Sequence, residues 1–473
     1  MSTFSGLNTA YTGLAAARQS LDVVGQNIAN SNTVGYTRQR VTTSAIGSLG
    51  HVGPLAGAPR VGGGVSVDSI ARLGNVYLDA RVRTTAGVAG YSAVRANVMS
   101  GIEDSLREPG KNGLSAQMQE FWASWQGLAN SSGVAASGGV VLEQAGVLVS
   151  QIARGYNEID AQWTQVRSEL GGMADELNSA ATQVANLNVT IRSTLAAGGS
   201  VNELLDQRSA LTTTMAALTG ATVAERPDGT VDVLIAGNAL VTGDTANPIT
   251  VTGSFQMDGA TDSPVRLEWA KRPGSAVALG GGEIAGALSM LAPANASGTG
   301  GSIAEAAESY NDLALSLAGQ VNAIHRTGET KSGAPGGDFF SLGTGPAARS
   351  ISVVPKDVGD LAAGAPGKGG LDGSNADAIA QIGTSAGAPD KIWTSFVTRT
   401  GVVARTELQQ AALAELAAGS ASSAQLANAT VDLDEENVSL VMFQSAYQGA
   451  ARVMTAVDEM LDTLINRTGI VGR

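Results

Sequence analysis

Apolar residues recur along the first thirty positions at alternating steps of three and four. They are Phe4, Leu7, Tyr11, Leu14, Leu21 and Ile28, with Arg18 and Gly25 in the two remaining places. That period predicts an amphipathic helix, and the turn chemistry of Asn30-Ser31-Asn32 and Gly35 predicts its end. The C-terminal stretch repeats the theme without a break: Leu440, Phe443, Tyr447, Ala450, Met454, Val457, Leu461 and Leu464. Asp432, Asp434, Glu435 and Glu436 precede it, where carboxylates suit the positive end of a helix dipole. Thr468-Gly469 supplies a stop. Lone helices are marginal in water, so the two ends are expected to pair with each other as a coiled coil or with neighbouring subunits. The plainer alternative is that both stripes are core faces of a globular protein.

Between the ends the period changes twice. Gly62-Gly63-Gly64 before Val65-Ser66-Val67 reads as a loop entering a short strand; no Gly-Lys-Ser/Thr follows, which argues against a phosphate loop. From 76 to 219 the pattern is helical, with Leu114, Met118, Phe121, Trp122, Trp125 and Leu128 on one face and a long run from Val147 through Ile191. Trp122, Trp125 and Trp163 at helical spacing read as core rather than as a ligand cage. A Pro227-Asp228-Gly229 turn joins Thr222–Glu225 to Val231–Ile235, and strands are expected at 239–241, 249–252, 264–270 and 275–279. Helix returns at 283–288 and 302–326, where His325 reads as a helix-end cation or a solvated side chain. Residues 327–390 carry little pattern beyond a possible strand at 351–354. A helix then spans 391–418, interrupted at Gly419–Ser423.

The expected fold is mainly α with a β-rich insert (α+β): a long antiparallel helical bundle, terminal helices pairing as a coiled coil, and a small inserted β domain. The expected domains are 1–45 plus 430–473 (terminal helices), 46–220 plus 281–429 (helical bundle, with the irregular 327–390 segment) and 221–280 (β-rich insert).

Composition narrows what such a chain does. Of 473 residues 61 are Gly and none is Cys, so disulfides, thiolate metal sites and thiol nucleophiles are excluded. Two histidines, His51 and His325, argue against a His-rich metal site. The net charge of −13 argues against a nucleic-acid partner, whose footprint is basic. No apolar run reaches the length of a membrane span, and the N-terminal residues lack the basic start of a secretory signal. No catalytic motif, cofactor loop or metal-binding constellation stands out. The chain reads as a non-enzyme with no cofactor and no membrane insertion.

Short segments carry a resemblance. Asn27-Ile28-Ala29-Asn30-Ser31-Asn32-Thr33-Val34-Gly35-Tyr36-Thr37-Arg38-Gln39 resembles the N-terminal signature of flagellar rod, hook and hook-associated proteins. Val431-Asp432-Leu433-Asp434-Glu435-Glu436, with Phe443–Gln448 and Ala450–Val453, resembles the C-terminal signature of the same proteins. Asn202–Arg208, Gly281–Ile284, Leu317–Arg326 and Asp338-Phe339-Phe340 bring the likeness closest to the hook–filament junction proteins. The resemblance implies an extracellular structural subunit of the bacterial flagellum that self-associates into a ring joining hook to filament. It implies hook protein on one side, a second junction protein and the filament on the other, and export through the flagellar secretion channel with a chaperone. Another axial protein, a hook or distal-rod subunit, is the alternative; a secreted enzyme is a remoter one. The implied family motif is Asn27, Asn30, Asn32, Gly35, Tyr36, Arg38 and Gln39, and the two apolar stripes become subunit-assembly faces. Small residues at Ala446, Gly449, Ala450 and Ala451 would let helices approach closely, and Tyr36, Arg38 and Gln39 lie where a turn could meet a neighbouring subunit. Related proteins often carry a larger outer insertion after the Asp-Phe-Phe segment; about fifty residues stand there in this chain, which implies an outer domain reduced or absent.

Overall fold

A computed structural model of the chain describes residues 3–47 and 62–467. Elements run α1 (Thr3–Ala29), β1 (Gln39–Ala45), β2 (Val65–Arg72), α2 (Val76–Leu106), α3 (Leu114–Asn130), α4 (Ala135–Ala196) and α5 (Asn202–Thr219). The insert follows as β3 (Thr222–Glu225), β4 (Val231–Ile235), β5 (Asn238–Thr242), β6 (Thr245–Ala246), β7 (Ile249–Thr252) and β8 (Arg266–Trp269). Then come α6 (Gly282–Met290), α7 (Ser302–His325), β9 (Phe340–Ser341), α8 (Ala347–Ser350), β10 (Ser352–Val353), α9 (Ser374–Ala380), α10 (Pro389–Ala429) and α11 (Leu433–Asp462).

The spine is α4, 62 residues without a break and ~93 Å long at 1.5 Å per residue. It buries Leu148, Ile152, Ile159, Trp163, Leu170, Leu177, Val184 and Ile191 on one face. Val147 lies outward; its neighbour Leu148 takes the core position. Helices α3, α5 and α7 lie against this face. Trp122, Trp125 and Trp163 are buried as expected, with Trp125 stacked edge-on against Phe339 at 5.1 Å.

Helices α2 and α10 run antiparallel: Arg95 meets Glu407 and Asp79 meets Gln425. The Gly419–Ser423 break does not occur, and α10 continues to Ala429. Ala404, Ala414 and Ala421 point at α2, and this close small-residue contact offsets the low helix propensity of glycine. The turn falls later, at Thr430-Val431.

The insert is a four-stranded antiparallel sheet in the order β3-β4-β5-β6, beside a β7-β8 hairpin. Two asparagines of α4 satisfy its edges. Asn188 donates to the Val231 and Gly243 carbonyls and accepts from the Val231 N–H; Asn178 treats both backbone groups of Ile249 the same way. The expected strand at 275–279 reduces to a single bridge, Glu268 to Ala276, because the backbone leaves the sheet after Val277. Strand β1, unexpected from the sequence, pairs with β2 into a ribbon with a bulge at Thr42/Thr43.

The 327–390 segment, poor in pattern, is folded. Phe339, Phe340, Ala348, Ile351, Leu361, Ala376 and Ile379 enter the core over α3, α4 and α7. His325 departs from expectation. It is 1% exposed and fixed at both ring nitrogens: Nδ1 lies 2.7 Å from the Gly337 carbonyl, and Nε2 accepts from the Ala362 N–H at 3.0 Å. That arrangement requires the neutral Nδ1–H tautomer, and burial pushes its pKa down. Reading it as an exposed cation failed because the covering 327–362 segment carries no periodic signal.

Candidate functional site: the node joining the two chain ends

Helices α1 and α11 pair antiparallel, with Gly6 beside Val457 and Asn27 beside Glu436. The face of α1 turned to α11 is a small-residue seam: Gly6, Ala10, Gly13, Ala17, Ser20, Val24 and Asn27. Ala10, Ala17, Val24 and Asn27 are buried there and Gly6 lies against Val457, while Gly13 lines a cavity between α1, the ribbon and α11. On α11 the buried or half-buried face is Glu436, Leu440, Phe443, Ala450, Met454, Val457 and Leu461.

The structure divides the expected N-terminal stripe. Phe4 and Tyr11 are 69% and 61% exposed, while Leu7, Leu14, Leu21 and Ile28 are half-buried. Tyr447 of the C-terminal stripe sits at the margin, 37% exposed. The side chain of Leu464, the Thr468-Gly469 stop and His51 lie outside the described residues. A second face of α11 stays open: Val438, Val441, Met442, Val453 and Met460 are all more than half exposed.

At the open end of the helix pair, residues from four parts of the chain converge. Asn27 uses its whole amide. Nδ2 donates to the Gln39 carbonyl at 2.9 Å and to Glu436 Oε2 at 3.2 Å, while Oδ1 accepts from the Gln39 N–H at 3.0 Å and the Tyr36 hydroxyl at 2.9 Å. Arg38 forks between two carboxylates, Nε to Glu436 Oε1 at 2.7 Å and a terminal nitrogen to Glu435 Oε2 at 2.6 Å. Burial and the nearby Glu203, Asp206 and Glu436 carboxylates push the Tyr36 hydroxyl up to about 12, so it stays a protonated donor.

The node continues onto the helical body. The Thr37 N–H donates to Asp206 Oδ2 at 3.0 Å, and Arg72 Nε to Asp206 Oδ1 at 2.6 Å. Asn202 Nδ2 reaches both Gln39 Oε1 and the Ile70 carbonyl at 3.0 Å. Of the expected motif residues, Asn27, Tyr36, Arg38 and Gln39 therefore meet. Asn30, Asn32 and Gly35 do not; within the turn Asn30 Oδ1 accepts from the Thr33 hydroxyl and Gly35 takes φ +81°. Asp432 caps α11, accepting from the Asp434 and Glu435 N–H groups. The pairing of Glu435 and Glu436 with Arg38, and the parts of Arg72 and Asp79, lay outside the sequence reading. Among the described residues no group of three or more metal-ligating side chains occurs, and no helix is long and apolar enough to cross a membrane.

Fold and node together define a class: a mainly helical chain whose two ends return to form one paired-helix unit. Comparison with known proteins narrows the class. The family model described as Flagellar hook-associated protein FlgK helical domain matches residues 99–340. The model for Flagella basal body rod protein matches 7–37, and that for Flagellar basal body rod FlgEFG protein C-terminal matches 423–467. Flagellar hook-associated protein 1 of Bacillus subtilis is 29% identical over 518 aligned positions, spanning all of both chains. Its Escherichia coli counterpart is 29% identical over 369 positions, 76% of this chain but 63% of that protein. The flagellar hook junction protein FlgK of Burkholderia pseudomallei shares the fold, with a TM-score of 0.62 at 15% identity over 73% of this chain and 99% of that one. The chain belongs to the flagellar hook-associated protein FlgK family.

Proposed function

We propose that this chain is the structural subunit joining hook to filament in the extracellular bacterial flagellum, and that it acts as one of a ring of identical copies. Hook protein meets the ring on one side, and the second junction protein with the filament meets it on the other. An export chaperone holds the chain before secretion. The proposal gives it no catalytic step.

The observation that carries this reading is the two-faced character of the terminal helices. One face of each closes the chain's own ends into a unit, and the other keeps apolar residues open: Phe4 and Tyr11 on α1, Val438, Val441, Met442, Val453 and Met460 on α11. Exposed apolar helix faces on a secreted structural protein suit contact with further subunits. The expected division into terminal helices (1–45 plus 430–473), bundle (46–220 plus 281–429) and insert (221–280) gives each part a task in this proposal: ring contact, spacing and outer surface.

The test is genetic and microscopic. Cells whose only copy lacks 430–473 should build hooks, shed filament protein into the medium and carry no filaments. Filament growth on such hooks would sink the proposal. Purified full-length protein added to hook fragments should stop at a short terminal ring; long tubes would point instead to a hook-type subunit.

A further inference from the structure

Beyond Glu407, α10 packs against α2 and turns the rest of its girth to solvent. Val402, Leu408, Leu413, Leu416 and Leu426 stand on that outer side, Leu413 and Leu416 at 68% and 71% exposed. Single exposed apolar side chains are ordinary, but five on one helix flank make a patch. Glu415 is the one charge between Leu408 and Val431. A second outer flank lies on α4, where Thr182, Asn186, Val189 and Ser193 are exposed and no charge occurs from Leu177 to Ile191. The two flanks share one height on the body. Arg95 meets Glu407 and Asp79 meets Gln425, so α10 runs antiparallel to α2. Gln162 of α4 donates to the Val98 carbonyl at 2.8 Å, Asn188 accepts from Arg208 of α5, and Ala216 of α5 lies beside Gly87 of α2. Helix α4 is therefore antiparallel to α2 as well, and its 162–188 stretch stands level with 407–425 of α10, with α2 and α5 between them.

We infer that the α10 flank of one copy docks on the α4 flank of the next, head to tail; the inference rests on the proposed ring and names the body surfaces that meet in it. A contact between two different faces can close a ring, whereas a face that meets itself stops at a pair. The exposed charges match. Read in the same direction along the body, α10 carries Arg399 and Arg405, then Glu415; α4 carries Asp175 and Glu176, then Arg192. Opposite signs in the same order fix the register of the two helices. Arg192 also reaches Asp244 at 3.2 Å, an exposed pair that leaves it open to a second carboxylate. Between these charges the leucines meet small uncharged side chains, so the contact dries without stranding a charge. A flank about 30 Å long and about 10 Å wide offers roughly 300–400 Å² per partner, at most half of the ~800 Å² that a stable pair buries. The contact therefore forms where copies already stand side by side on a hook end, and the free chain does not pair through it.

The chain has no cysteine, so engineered thiols report cleanly. Full-length protein carrying Val189→Cys and Leu416→Cys, assembled on hook fragments and treated with a short bis-maleimide, should run as a ladder of joined copies. The same protein free in solution should not cross-link. Leu413→Glu with Leu416→Glu should abolish rings and leave the body's melting transition in place. Leu371→Glu, at a side chain 77% exposed elsewhere on the body, should leave rings intact. Arg405→Glu should weaken ring formation, and Asp175→Arg in the same chain should restore it. Intact rings with the two-glutamate variant, cross-links to hook protein alone, pairs joined through Leu416→Cys by itself, or no rescue by Asp175→Arg would each overturn the docking. If the parent chain forms no ring on hook fragments, the ring falls and this contact with it; if parent and two-glutamate rings both form, the contact alone falls.

Discussion

At the scale of single residues, the decisive quantity is burial of charge. Glu436 is 3% exposed at its side chain and Arg38 13%, whereas Glu435 is 62% exposed. A buried pair that loses one partner strands the other, at a cost of about 3 kcal/mol, while an exposed pair is worth under about 1 kcal/mol. Arg38→Ala should therefore destabilise the terminal unit by about 3 kcal/mol and Glu435→Ala by less than about 1 kcal/mol. Amide exchange at residues 20–45 and 433–445 checks this; equal protection in the two variants would contradict it. His325 gives a pH signature. Its folded pKa lies below the ordinary 6.5, so in the window between those values the unfolded chain binds a proton that the folded one does not. Stability from this residue is complete above about pH 6.5 and is lost as the pH falls toward the lowered value. His325→Gln should melt lower at pH 7.5, yet lose less on going to pH 5.5 than the parent does. Parallel melting curves for the two proteins would exclude the assignment.

At the scale of elements, glycine separates two kinds of helix. Gly419 in α10 has nothing within 4 Å of where a Cβ would stand, so Gly419→Ala should stabilise α10 by about 1 kcal/mol through propensity alone. Gly155 in α4 faces Tyr310, whose ring would lie 2.3 Å from a new Cβ. Gly155→Ala should cost about 1–3 kcal/mol, because the fully packed α4–α7 contact cannot yield. Denaturant midpoints of the two variants should move in opposite directions. The same contrast explains the misjudged end of α10. Gly and Ser near 419–423 resemble a stop in isolation, but α2 supplies a neighbour against which small residues pack. On α1 the seam was legible in a different register. Gly6, Ala10, Gly13, Ala17, Ser20, Val24 and Asn27 keep the same alternation of three and four, one position ahead of the apolar stripe. Weighting by hydrophobicity selects Phe4–Ile28; weighting by size selects the face that α1 turns to α11.

At the scale of the whole molecule, body and ends are separate concerns. Because the core lies between residues 98 and 404, removal of 430–473 should leave the body's cooperative melting nearly unchanged while protection in 3–45 disappears. A truncated chain that melted as a molten or aggregated species would show instead that α11 is needed for the body to fold. The long α4 spine carries the insert, docked on it by Asn178 and Asn188, as part of one body.

Local period and composition by themselves determined that this chain is mostly helical, that a β insert interrupts it, that its two ends are amphipathic, and that thiol and metal chemistry are remote. These follow from short-range rules: side-chain spacing, turn residues and counts. Tertiary structure alone decided that Asn27, Arg38, Asp206 and Glu436 form one node, that His325 is buried and neutral, and that the unpatterned 327–390 segment is part of the core. Each depends on contacts between residues far apart in the chain, and no local period encodes which distant carboxylate will meet a given guanidinium.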